Sequence, residues 1–244
     1  MQKRRRGFKI YLVVFLMLII CFVIIESKNS NAEKVELNKS DKLDSTETMT
    51  NTINQNINSQ NLILVNKNNP IKSNYEPNDL VVPSIRFQRV GDGMVKYVRT
   101  DATIALEKLF KAAKKDGINL LAISGYRSYA YQETVYKNEV NNVGETQANR
   151  YVAKPGESEH QTGLAMDVLA DEYRTLDEGF ENTESFRWLQ NNMSKFGFIL
   201  RFPKGKENIT GYAYEPWHIR YVGEEASTEI MKKGLTLEEY INKN

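Results

Sequence analysis

Hydrophobic and polar positions divide the chain into three stretches of different character. From Ile10 to Ile25 every residue is apolar, and Lys3, Arg4, Arg5, Arg6 and Lys9 come before the run. From Ser27 to about Asp79 the chain is mostly Asn, Ser, Lys and Thr with scattered aliphatics, as in "TNTINQNINSQNLILVNKNNP". A stretch without a periodic apolar face cannot offset the entropy of ordering its backbone, so residues 27–79 are read as a disordered polar linker. From Leu80 to Asn244 apolar residues recur with helix and strand periods, over enough chain for one domain with its own core.

Within that domain Ala105, Leu106, Leu109, Phe110 and Ala113 share one helical face, with Thr100 or Asp101 as N-cap and Gly117 as the closing left-handed residue. "INLLAI", "LAMDVL", "FGFIL" and "HIRYV" read as strands. Further helices are expected over Tyr129–Val140, along Phe186, Leu189, Met193 and Phe196 up to Gly197, and in "TLEEYI", where Thr236 and Glu239 form a capping box. Helices and strands follow one another without a regular βαβ rhythm. The expectation is an α+β domain: a small, mostly antiparallel sheet with helices packed on it.

The apolar leader changes where that domain is expected to work. As a helix, Ile10–Ile25 spans roughly 24 Å against a hydrocarbon core of about 30 Å, which suits a short anchor or a long signal segment over residues 1–26. Ser30-Asn31-Ala32 offers a cleavage point near Ala32, and the basic flank keeps its own end cytoplasmic. The remainder is therefore expected outside the cytoplasmic membrane, attached through the leader or secreted after cleavage. Residues 1–32 hold six of the 33 Lys+Arg and one of the 31 Asp+Glu, so 27 basic residues face 30 acidic ones beyond them, a net of −3. That balance excludes a nucleic-acid surface. The single cysteine, Cys21, lies in the apolar run, which leaves no disulfide and no thiolate for the exported part. The chain is read as a monomer.

The chain has two histidines, His160 and His218, and these with Asp167 and Glu215 stand out as candidates for chemistry. Hydrolytic zinc takes three nitrogen or oxygen ligands and keeps a position open for water, so two histidines and one carboxylate suffice. On a continuous strand His160 and Asp167 would lie roughly 23 Å apart, so a shared ion requires the chain to bend between them. Gly163 is the residue able to reverse it. Glu215 precedes His218 by three residues across Pro216, which suits a general base on a bend beside a strand. Each residue also has an ordinary reading: hydrogen-bonded structural histidines, a turn aspartate, Trp217 as core and Arg127 as surface charge. Glu157 and Glu159, on either side of Ser158, read as uninformative.

"SGYRSYAYQ", "GESEHQTGLAMDV" and "EPWHIRYVG", in this order and at these separations, resemble the VanY-type D-alanyl-D-alanine carboxypeptidases, zinc peptidases of bacterial cell walls. The resemblance covers roughly Leu80 to Asn244. It implies a Zn2+ held by His160, Asp167 and His218 at the sheet, Glu215 as catalytic base, and Arg127, Gln132 and Ser158 in contact with a peptidoglycan stem peptide. Arg127 suits either the tetrahedral oxyanion or a substrate carboxylate. The implied reaction removes a C-terminal D-alanine. Alternatives are an L,D-carboxypeptidase acting on tetrapeptide stems, and a non-catalytic zinc module that binds wall peptides.

Overall fold

The computed structural model describes residues 60–88 and 93–243, which belong to a unit beginning at Ile57. The apolar leader and residues 27–59 of the linker lie outside the described residues. Among those described, no helix is long and apolar enough to cross a membrane.

A short antiparallel pair, β1 (Leu80–Val81) with β2 (Val98–Arg99), leads into helix α1 (Thr100–Lys115) and strand β3 (Leu120–Ser124). Helices α2 (Tyr129–Val143) and α3 (Glu145–Tyr151) follow, then β4 (Ala165–Ala170), α4 (Glu184–Asn192) and β5 (Phe198–Leu200). The chain closes with α5 (Glu207–Thr210), β6 (His218–Tyr221), α6 (Glu224–Lys233) and α7 (Leu237–Ile241). The main sheet has the order β3-β4-β6-β5, with every neighbouring pair antiparallel, as the mixed pattern implies.

The apolar face of α1 buries Ala102, Ala105, Leu106, Leu109, Phe110 and Ala113. Each large aliphatic or aromatic side chain removed from water there contributes about 1.5–3 kcal/mol. Helix α1 begins one residue earlier than its cap signals suggest. Arg99 is the N-cap, without a side-chain bond, because the Thr100 hydroxyl donates to the Asp79 carbonyl instead. Ser128 caps α2, and Thr236 with Glu239 forms the expected box at α7. The predicted helix ending at Gly197 is split: α4 stops at Asn192 and a 3-10 turn, Met193–Phe196, completes it. Helices α3, α5 and α6 are not among the elements expected from the sequence pattern.

The linker boundary moves. Residues 60–79, assigned by composition to the disordered linker, pack on the domain. Val65 is buried, and Leu62 and Leu64 lie against Ile199, Val222, Ala226, Ile230 and Leu237. Arg220 Nη2 donates to the carbonyls of Asn61 and Ile63 at 2.9 and 2.8 Å, and Asn66 Nδ2 donates to Glu238 Oε1 at 3.0 Å. Partners more than a hundred residues away supply the burial and hydrogen bonds that this polar segment lacks within itself, which composition cannot register.

Candidate metal centre

All six residues of β4 are buried, and Asp167 is the ionisable one among them. A carboxylate in such a strand needs partners, because burying an unpaired charge costs several kcal/mol or forces it to neutralise. The strand register supplies one: Asp167 and His218 are direct partners across β4 and β6, a position that sets Cβ atoms about 5 Å apart. His160 reaches them from a 3-10 turn, Glu159–Thr162, closed by Gly163 at φ +69°. The bend that a shared ion requires is therefore made at the expected glycine.

Gly163 is required by its backbone conformation, and the space around it adds crowding. Its φ lies in the left-handed region, and a Cβ there would come within 2.8 Å of Leu80 Cδ2 and 3.0 Å of Arg99 Cγ. Replacing Gly163 by alanine is expected to destabilise the fold by about 1–3 kcal/mol, from the left-handed cost plus crowding. Urea unfolding of the variant measures this, and an unchanged midpoint would refute it.

His160 Nε2 lies 3.4 Å from Asp167 Oδ2, and His218 Nδ1 lies 3.2 Å from Asp167 Oδ1. One ligand atom from each of the three residues falls within 4.8 Å of the others. Tetrahedral zinc with bonds of 2.0–2.1 Å sets its ligand atoms roughly 3.3 Å apart; each histidine approaches an Asp167 oxygen at that spacing, though not the same oxygen. Asp167 Oδ1 is buried yet has no hydrogen-bond partner among the described residues. It lies 3.2 Å from His218 Nδ1, close enough for both atoms to be drawn onto one cation. His160 Nδ1 bonds the Gly125 carbonyl at 2.7 Å, which turns Nε2 toward Asp167, an outer-shell bond of the kind that orients metal-binding histidines.

The electrostatics agree with a cation site. Burial pushes His160 down to about 4, helped by the Arg127 charge, so the ring is neutral as a ligand must be. Burial acts against the Asp167 carboxylate, yet His160 and His218 hold it well below the usual range. At His218 burial is outweighed by Asp167 and Glu159, which raise it to about 9 and mark an excess of negative charge around the ring. Burial pushes Glu215 up to about 8, and a divalent cation alongside acts in the opposite direction.

Glu215 sits on the bend before β6. Its N–H donates to the Phe202 carbonyl, its own carbonyl accepts from His218 N, and Oε2 lies 3.7 Å from His218 Nδ1. Arg127 Nη1 donates to Gln132 Oε1 at 3.0 Å, while Nη2 approaches Asp167 Oδ2 at 3.5 Å. Gln132 is itself fixed by donating to the Ala153 carbonyl at 2.7 Å. Arg127, Gln132, Ser158 and Glu215 all line, with the metal cluster, one cleft of about 750 Å³, within the range of small-ligand sites. Trp217 is buried in the core, as expected, and also borders this cleft.

Sequence reasoning passed over Glu159. It is 3% exposed and receives Arg201 Nε and Arg220 Nη1, each at 2.7 Å, on one carboxylate oxygen. The two arginines hold it well below the usual carboxylate range despite its burial. Arg201 and Arg220 are wholly buried and border apolar strand segments; that placement was the available signal for an acidic partner.

The family described as VanY, D-alanyl-D-alanine carboxypeptidase, matches residues 95–224. The putative carboxypeptidase YodJ of Bacillus subtilis (strain 168) is 46% identical over 226 residues, 89% of this chain and 81% of that protein. The structure of the LdcB LD-carboxypeptidase, described in terms of peptidoglycan recognition, superposes with a TM-score of 0.70 at 49% identity, covering 75% of this chain and 86% of that one. A mutant of the vancomycin-resistance D,D-pentapeptidase VanY in complex with Zn(II) gives 0.61 at 37% identity over 75% of this chain and 99% of that one. With a matching sheet, a three-donor cluster that fits zinc, and likeness along most of its length, this chain belongs to the VanY family of metal-dependent carboxypeptidases.

Proposed function

We propose that the protein releases the C-terminal D-alanine of peptidoglycan stem peptides by zinc-assisted hydrolysis, with Glu215 carrying the proton. The observation behind this reading is the place of Glu215, 3.7 Å from His218 Nδ1 and lining the same cleft as the three metal donors. His160 Nε2, His218 Nδ1 and Asp167 would hold the ion. When bound, zinc supplies Lewis acidity, which makes water a nucleophile near neutral pH and polarises a carbonyl. Glu215 Oε2 takes a proton from the attacking water and hands it to the amine of the departing D-alanine. Arg127 lines the cleft with Nη1 on Gln132 and Nη2 near Asp167, and the second N–H of each would serve the substrate carboxylate or the developing oxyanion. Both polar ends of Gln132 are already engaged, so its part is to aim Arg127. Ser158 contacts the peptide from the cleft wall.

The D,D reaction on pentapeptide stems follows the family's description. The L,D reaction on tetrapeptide stems is a second reading, supported by 49% identity to LdcB against 37% to the D,D-pentapeptidase. Placement outside the membrane, as a monomer tethered through residues 1–26, suits a wall substrate. The test is D-alanine release by the purified full-length, zinc-loaded protein from pentapeptide and tetrapeptide stems. Faster release from the pentapeptide is the expected result, and the reverse order selects the L,D reading. Zinc binding with release from neither stem would replace both readings with a wall-peptide binding module.

A further inference from the structure

The two ring nitrogens of His218 face different surroundings. Nδ1 looks toward Asp167 and Glu215, whereas Nε2 lies 3.7 Å from Glu159 Oε2. Both Nε2 and Oε2 are buried, and neither has a hydrogen-bond partner among the described residues. Complementary polar groups buried side by side are rarely left unpaired. The other oxygen of Glu159 is already occupied by Arg201 and Arg220. Those arginines are anchored in turn. Arg201 makes a two-bond clasp on Glu238 at 2.9 and 2.6 Å, and Arg220 holds the Asn61 and Ile63 carbonyls.

We propose that Glu159 is a positioning residue for the metal centre: its Oε2 receives the Nε2–H of His218 and so turns the Nδ1 lone pair toward the zinc. Neighbouring residues then serve both histidine ligands, since His160 binds through its own ring while Glu159 orients His218. The arginine pair keeps Glu159 charged and immobile, and through Arg220 residues 61–63 become part of the support of a metal ligand. Carboxylate–histidine–metal relays fix the ring tautomer and strengthen the ligand, and their loss lowers metal affinity by about 10–100-fold. This inference rests on the zinc reading of the site.

With only two histidines in the chain, long-range proton–nitrogen correlation of the 15N-labelled, zinc-loaded full-length protein resolves each ring. The expected spectrum has His160 protonated at Nδ1 and His218 protonated at Nε2. In Glu159→Gln, competition against a chromogenic chelator should show zinc affinity reduced by about 10–100-fold at temperatures below the melting transition. A purely structural Glu159 would lower the apo melting temperature but leave zinc affinity and the His218 tautomer unchanged, and that outcome overturns the proposal. If Glu159→Gln fails to fold, the wild-type spectrum still decides: His218 protonated at Nδ1 overturns it. Wild-type protein that binds no zinc sinks the zinc reading and this inference with it, whereas bound zinc with unaltered Glu159→Gln affinity sinks this inference alone.

Discussion

Glu215→Gln is expected to keep its zinc and its fold while D-alanine release falls by about 10²–10⁴-fold, the usual contribution of a positioned acid–base group. The amide has nearly the shape of the carboxyl, so the cleft wall beside Trp217 and Phe202 stays filled. Glu215 is not one of the three clustered donors, so removing its charge leaves the ligand set intact. Stability should not suffer, because burial already disfavours the charged form of this group. What the variant loses is a group able to accept a proton at Oε2 and return it. Zinc content, melting temperature and release rate, measured together, decide the matter. Release within about threefold of wild type would remove Glu215 from proton transfer.

Asp167→Asn has the second large effect, on the metal itself. Asp167 would supply the negative charge of the ligand set, with one oxygen 3.4 Å from His160 Nε2 and the other 3.2 Å from His218 Nδ1. Asparagine keeps the volume in β4 but is a far weaker ligand for a dication, and zinc affinity should fall at least 100-fold. The consequence for stability follows from linkage. At free zinc 1,000 times the wild-type Kd, binding stabilises wild type by about 4.1 kcal/mol, and a variant with 100-fold weaker affinity by about 1.4 kcal/mol. At roughly 2–4 °C per kcal/mol for a domain of this size, the zinc-induced rise in melting temperature should shrink by more than half. Removal of zinc by a chelator should abolish that rise in wild type and stop release. An undiminished zinc-induced rise in the variant would show that Asp167 does not bind the metal.

Much of the site was legible because it is written in local patterns. His160, Gly163 and Asp167 fall within eight residues, and the need for a bend between two ligands of one ion follows from strand dimensions alone. Glu215, Pro216 and His218 carry a similar local logic. Glu159 was not legible, since its significance depends on Arg201 and Arg220, which are 42 and 61 residues away. Residues 60–79 escape a reading by composition for the same reason: a polar segment that borrows burial from β5, α6 and α7 and hydrogen bonds from β6 looks like one that packs against nothing.

The sequence by itself determined the helices with a clear apolar face, the apolar strands, the motif order and the set of groups able to hold zinc, because periodicity and residue chemistry act over a few neighbours. Only the tertiary structure decided which nitrogen of each histidine faces Asp167, that Asp167 stands opposite His218 across two strands, and that a buried carboxylate and two arginines back the metal ligand. These depend on strand register and on contacts between distant segments, where a one-residue slip would turn every side chain to the other face of the sheet.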